Sequence, residues 1–329
     1  MESPPVDIDA IERAAEVLRR GGLVAMPTET VYGLAADALN ESAVRAIFAA
    51  KGRPDDHPVI VHIPERGAMT KWASQVPPSA VALTAAFWPG PLTLVLKRAP
   101  AVSDLITGGQ DTVGLRCPGH PWAQALLKAF GGALAAPSAN RFGRISPTTA
   151  RHVVEDLGLR PSGVVDVILD GGACRVGIES TIVDLSGPNP RLLRPGAVTR
   201  TQLERVLGMP VGSGEAGAPR VSGALEKHYA PRTPLEVVPA GQVATRVAAH
   251  APQPVAVLAP EWALKAAPNL KLHLLAADRP SAYAQTLYEN LRRLDTSGAA
   301  RLIVAAPPDE ADWDAVRDRL KRASAGGAA

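Results

Sequence analysis

The sequence predicts an α/β protein in two parts: a mixed sheet with helices over the first two hundred residues, then a smaller open α/β sheet. Three observations carry this. The 329 residues exceed the roughly 250–300 at which a single hydrophobic core stops growing. Apolar strand-like runs alternate with helical periodicity on both sides of residues 210–234, where the pattern vanishes among glycines and prolines. Hydrophobic residues at 46% and charged residues at 20% supply material for two cores and exclude a mainly disordered or fibrous chain.

In chain order, a helix is expected over Ile8–Arg20 and a strand over Leu23–Met26. Asn40 is placed to cap a second helix, Glu41–Ala50, in which Val44, Ile47 and Phe48 recur at helical spacing. Strands are then read at Val59–Ile63, Leu92–Leu96, Val113–Arg116, Ala133–Ala136, Val164–Leu169, Thr181–Leu185 and Arg191–Arg194. Helices at Pro78–Phe87, Pro121–Ala129, Thr148–Asp156 and Thr201–Leu207 complete a domain over 1–209. Residues 210–234 read as a linker whose end, Lys227 to Pro234, holds basic and aromatic groups that a plain tether does not need, so it is a candidate lid. Residues 235–329 form the small domain, with apolar runs Leu235–Val238, Val255–Leu258, Leu270–Leu275 and Leu302–Ala305 and a helix over Ala282–Leu294. Its tail is expected to fray from Ala323.

Charge excludes an obvious nucleic-acid face. The net charge of +3 is spread evenly, with 21 Lys/Arg against 20 Asp/Glu in residues 1–209 and 14 against 12 beyond, and no basic stripe or arm. Two distant cysteines, Cys117 and Cys174, indicate neither a disulfide framework nor a zinc knuckle, and read as reduced structural thiols. No apolar run reaches the roughly 18 residues of a membrane span and the N-terminal order is not that of a signal peptide, so a cytoplasmic protein is expected. Gly212 to Gly217 satisfies GxGxxG by letter, but it lies inside the linker with no strand before it and no helix after it. There is no GxxxxGK[ST] cradle and no close His/Cys/Asp/Glu cluster for a protein-held metal.

Chemistry concentrates in three loops. Pro27-Thr28-Glu29-Thr30-Val31-Tyr32-Gly33-Leu34 packs hydroxyls and a carboxylate directly after a strand, more hydrogen-bonding groups than a turn requires. Lys51-Gly52-Arg53-Pro54 ends the second helix. Its two cations reach one ligand only if the chain leaves the helix at Gly52, and together they suit a polyphosphate, against the plainer reading of cations complementing a helix C-terminus. Ala136-Pro137-Ser138-Ala139-Asn140, followed by Arg144 and Ser146, offers small hydroxyl and amide groups that fit a nucleotide or an ordinary Ser or Asx turn.

With KGRP at 51–54, VIVH at 59–62, SAN at 138–140, ESTIVD at 179–184, RPG at 194–196 and HYAPRTP at 228–234, the PTETVYGL segment resembles the threonylcarbamoyl-AMP synthase family, the YrdC-like proteins, in the form that carries a C-terminal domain. The resemblance implies a YrdC-like twisted mixed sheet and a Rossmann-like second domain. It implies a nucleotidyltransferase that makes threonylcarbamoyl-AMP and pyrophosphate from L-threonine, bicarbonate and ATP, with Mg2+ held by the nucleotide. The expected partners are a downstream tRNA threonylcarbamoyl transferase and, weakly, RNA. A non-catalytic double-stranded RNA-binding module and the carbamoyltransferase domain of hydrogenase maturation are the rival readings. Even charge speaks against the first and the lack of a cysteine-rich zinc module against the second.

Motif by motif, the resemblance implies that Thr30, His62, Arg116 and Ser180 hold threonine, with Arg116 pairing its carboxylate. Arg53, His57, Thr112, Ala136, Ser138, Asn140, Ser146, Arg194 and the lid residue Tyr229 would surround ATP. His57 stands where similar sequences often carry a small polar residue. Lys51 and Arg53 are the expected catalytic cations, screening the transferring phosphate.

Overall fold

The computed structural model describes residues 3–214, 217–264 and 270–325. The chain divides into two compact units, Met1–Phe142 with Ser146–Ala224, and Leu225–Ala329 with the three residues Gly143–Ile145. The division therefore falls inside the predicted linker.

The first unit is built on strands β1 (Val24–Met26), β2 (Gly33–Asp37), β3 (Val61–His62), β4 (Leu92–Lys97) and β5 (Thr112–Arg116). To these it adds β6 (Leu134–Ala135), β7 (Val167–Ile168), β8 (Thr181–Asp184), β9 (Arg191–Arg194) and β10 (Gly212–Ser213). They form a mixed sheet in the order β10-β9-β8-β4-β5-β3-β6-β2-β1-β7. The helices are α1 (Ile8–Arg19), α2 (Glu41–Lys51), α3 (Pro78–Phe87), α4 (Asp104–Thr107), α5 (Pro121–Phe130), α6 (Ala150–Leu157) and α7 (Arg200–Leu207). Helices cover both faces. Val44, Ile47 and Phe48 of α2 join Leu34, Val61 and Leu94 in one core, while Ile11 and Leu18 of α1 and Trp122 and Leu126 of α5 pack with Val24, Met26 and Leu134 in another. Strands buried on both faces read as continuous apolar runs, which is why β1 and β4 were visible in the sequence.

Local signals set the ends that matter. The Asn40 side chain accepts the Ala43 N–H and starts α2, and Gly52, at φ 63° in the left-handed region, ends it and turns Arg53 off the helix axis. β2 is a departure, because the Gly33–Asp37 segment carries no strand-forming side chains. Its alanines become strand only through antiparallel pairing with β1 on one side and β6 on the other. The same applies to β10, an edge pair beside β9 within the predicted linker. The expected strands at 59–63, 133–136 and 164–169 are paired over two residues each, and α6 begins after its Thr149 cap rather than at Thr148.

The second unit is a four-stranded parallel sheet, β11 (Leu235–Val238), β12 (Val255–Ala259), β13 (Leu270–Leu275) and β14 (Arg301–Ala305), in the order β11-β14-β12-β13. Its helices are α8 (Val243–Ala249), α9 (Glu261–Leu264), α10 (Pro280–Asp295) and α11 (Asp314–Ser324). This is the open Rossmann-like sheet expected. The fraying expected from Ala323 does not occur there, since Ala323 is buried in α11. Residues 326–329 lie outside the described residues, as do Glu215 and Ala216 of the GxGxxG match. Among the described residues, no helix is long and apolar enough to cross a membrane.

Candidate functional site

The site begins where parallel strands end. β3 and β5 pair in parallel with His62 opposite Arg116, so these two residues stand side by side at the carboxyl ends of neighbouring strands, the position where open α/β sheets bind ligands. The turn after β1 faces them. Thr28 builds it, donating to the Val31 carbonyl at 2.6 Å and accepting the Thr30 and Val31 N–H groups at 3.2 Å each. That leaves the Thr30 hydroxyl in reach of Arg116, whose Nη1 donates to it at 2.9 Å.

Arg116 is 4% exposed and pairs with Glu29, Nη2 to Oε1 at 2.7 Å. Glu29 accepts the Gly119 N–H on its other oxygen, and Arg116 Nε donates to the Gly90 carbonyl. Three of the guanidinium's five N–H groups are thus engaged, and two remain for a carboxylate.

His62 lies fully buried beside this cation, and burial first, then the Arg116 charge, pushes its imidazole down to about 3, with Nδ1 lacking a protein partner. It therefore meets a ligand as a neutral hydrogen-bonding group. Because the folded value lies below the unfolded 6.5, its contribution to stability is complete above pH 6.5 and is lost as pH falls toward 3. Acid unfolding should therefore lose about 1.4 kcal/mol per pH unit in that window, a slope that His62→Gln removes in urea titrations at pH 4 and 6. An unchanged slope in the variant would mean that the imidazole is charged in the fold.

Ser180 stands at the entrance to β8, which only β4 separates in the sheet from β5 and its Arg116. Its hydroxyl pairs with Thr93 of β4 at 2.8 Å, and Arg194 at the end of β9 donates from Nη2 to that hydroxyl at 3.1 Å and from Nε to the Ser180 carbonyl at 3.0 Å. Arg194 Nη1 reaches the Ser222 carbonyl at 2.7 Å. Thr93 and Thr112 line a cleft together with Gly114, Ile60, Ile182 and Arg220–Ser222. Gln110 holds that cover, accepting the Arg220 N–H at 2.7 Å and donating to the Arg220 carbonyl at 3.1 Å.

The cation pair divides its tasks. Lys51 is buried, and its Nζ donates to the Ser138 and Asn140 carbonyls at 2.6 Å each, tying the end of α2 to the SAN loop. Burial, then the Arg53 charge, lowers its ammonium well below the ordinary lysine range. Arg53 donates to the Pro58 carbonyl and lies 5.5 Å over the Phe142 ring, against which His57 also packs. His57 is partly exposed and its imidazole is lowered by burial and by Arg53. Ala136 is held by its N–H to the Ile60 carbonyl, beside Ser138, and Ser146 is fully buried with a hydroxyl that has no protein partner.

Of the residues singled out in the sequence, Tyr229 belongs to the second unit, where its ring lies 5.7 Å from that of Tyr288 and the Arg319 guanidinium lies 5.3 Å over it. Thr93 and Gln110 are neighbours of the site that the sequence reading did not name, and Glu29 was named there only as the carboxylate of the first loop, without a partner. Thr93 carried a signal, a lone hydroxyl in the apolar Leu92–Leu96 run. Gln110 carried none. Both thiols are buried and raised by burial, as structural cysteines are.

Comparison with known proteins decides the family. A profile of the Sua5/YciO/YrdC family, described as telomere recombination, matches residues 16–196, and the profile of the threonylcarbamoyl-AMP synthase C-terminal domain matches 198–325. The chain belongs to the threonylcarbamoyl-AMP synthase family. A threonylcarbamoyl-AMP synthase of Pyrococcus abyssi is 38% identical over 327 residues, covering 95% of this chain and 94% of that one. One from Bacillus subtilis is 37% identical over 335 residues, covering 96% and 93%. The crystal structure of P. abyssi Sua5 complexed with L-threonine superposes with a TM-score of 0.88 at 34% identity, covering 98% of this chain and 96% of that chain. Family membership thus extends over both units, and the fold is that of a threonylcarbamoyl-AMP synthase throughout.

Proposed function

We propose that this chain joins L-threonine, bicarbonate and ATP into threonylcarbamoyl-AMP, releasing pyrophosphate, as a nucleotidyltransferase. The observation that carries the proposal is the strand order β8-β4-β5, which sets the Ser180–Arg194 fork at β8 one strand away from Arg116 on β5, with Thr93 and Thr112 lining a cleft beside them. Two substrates in one such cleft meet without a diffusing intermediate.

In this reading Arg116 takes the threonine carboxylate through its two remaining N–H groups, with Thr30, Ser180 and neutral His62 around the rest of the amino acid. Glu29 keeps the guanidinium oriented and balances its charge in the buried site. The amine attacks the bicarbonate carbon, an N–C bond forms and water leaves. A carbamate oxygen then bonds to the α-phosphorus as the bond to the β-phosphate oxygen breaks. Anion approaches anion in that step, so positioning and cationic screening carry the catalysis. Arg53 supplies direct screening, and Lys51 holds the SAN loop in place. Magnesium would be held by the nucleotide, and the buried Ser146 hydroxyl, which has no protein partner, fits as a single oxygen donor to such an ion. When bound, the ion neutralises charge on the phosphate oxygens. Segment Arg220–Ser222 is the natural lid, opening for ATP as Gln110 and Arg194 release it.

The product is a reactive mixed anhydride, so a downstream tRNA threonylcarbamoyl transferase is the proposed consumer, with at most weak RNA contact by this chain, in the cytoplasm where ATP and tRNA meet. The test is to incubate the purified protein with ATP, Mg2+ and bicarbonate, with and without L-threonine. Threonine-dependent pyrophosphate and a mass matching the anhydride are expected. Pyrophosphate release indifferent to threonine would overturn the reading.

A further inference from the structure

Three residues of the nucleotide loop belong to the second unit. The chain passes from Phe142 of the first unit through Gly143–Ile145 of the second and returns at Ser146. Within the second unit this segment is gripped twice. The Ala230 N–H donates to the Gly143 carbonyl at 2.9 Å, with Arg144 and Ala230 bridged in parallel and Arg144 Nη1 reaching the Pro231 carbonyl at 3.3 Å. Arg292, in the last turn of α10, donates from Nη2 to the Ile145 carbonyl at 2.6 Å.

The strand partner in that grip is itself locked. Its neighbour Tyr229 is the one non-glycine residue among those described at a left-handed φ, 61°, and it is held there by Tyr288 and Arg319. The Ile145 carbonyl is therefore clamped from a rigid base. One peptide further on lies Ser146, whose buried hydroxyl has no protein partner and so takes its position from the backbone alone. We propose that Arg292 is a positioning residue for the nucleotide: by holding the Ile145 carbonyl it sets where the Ser146 hydroxyl, one peptide further on, stands, and so tunes ATP affinity. This rests on the adenylate-forming reading above and gives the C-terminal domain a task in it. Arg292 itself touches neither substrate.

The test is steady-state kinetics on the full chain with Arg292→Ala, Arg292→Lys and the exposed neighbour variant Arg293→Ala. Losing one charge-assisted hydrogen bond should raise the KM for ATP about tenfold in Arg292→Ala. The threonine dissociation constant by calorimetry should not change, Arg292→Lys should recover part of the loss, and Arg293→Ala should behave as the parent. In a Ser146→Ala background, Arg292→Ala should add nothing further, because the residue acts through that hydroxyl. An unchanged KM for ATP in folded Arg292→Ala overturns the proposal, as does equal weakening of ATP and threonine, or full additivity with Ser146→Ala. Should Arg292→Ala not fold, Arg292→Gln is read the same way. A parent chain that releases no threonine-dependent pyrophosphate defeats the adenylate reading instead. In that case ATP affinity, measured by calorimetry on the same variants, still decides the role of Arg292.

Discussion

Arg116→Ala should abolish threonine-dependent turnover, lowering kcat/KM for threonine by about a thousandfold, and should also weaken the fold by about 3–5 kcal/mol. The two losses have separate causes. The first comes from the carboxylate fork: Thr30, Glu29 and Gly90 engage three N–H groups of this buried guanidinium and leave two for an anionic substrate. The second comes from Glu29, which the alanine variant leaves buried without its partner cation, with the Gly119 N–H as the remaining hydrogen-bond donor to its side chain. The causes separate experimentally. Arg116→Met with Glu29→Gln removes both charges and should restore most of the melting temperature while leaving the enzyme inactive. Arg116→Lys keeps the charge without the fork and should retain the fold with a threonine affinity lowered about a hundredfold. Threonine binding of parental strength in Arg116→Ala, measured by calorimetry, would remove Arg116 from the site.

Arg53→Ala should cut pyrophosphate release about ten- to a thousandfold, with threonine affinity intact and little loss of stability. Its guanidinium lies 5.5 Å over the Phe142 ring and donates to the carbonyl of Pro58, a residue that lines the cleft, so its removal takes a positive charge from beside that cleft. Lys51→Ala should reach a comparable loss by a different route. With two backbone carbonyls of the SAN loop deprived of their donor, the loop shifts, the KM for ATP rises and the melting temperature falls together. The pair is thus distinguished by stability: Arg53→Ala is a kinetic defect, Lys51→Ala a kinetic and structural one. Two variants of equal stability and equal turnover would show that the cations share one role.

Most of the fold was legible where burial on both faces or a cap left a pattern, as in β1, β4 and β8 or the Asn40–Gly52 limits of α2. β2 was not, because alanine declares no preference and only pairing on both edges makes those residues a strand. The site followed the same division. Thr30 stands in a loop with more polar groups than a turn needs, while His62, Arg116, Ser180 and Arg194 were legible only through motifs that resemble the family. Glu29, Thr93 and Gln110 act through partners 87, 87 and 110 residues away in the chain, a proximity that no local pattern encodes.

From its residues alone this chain determined its two α/β parts, its family and the chemical kinds of group in its site, since periodicity, caps and short motifs are local properties of a polymer. Tertiary structure decided that Lys51 ties the SAN loop, that His62 is neutral, and that Gly143–Ile145 belongs to the second unit. Those outcomes depend on burial and on contacts between distant segments, and both arise only when strands far apart in sequence lie side by side.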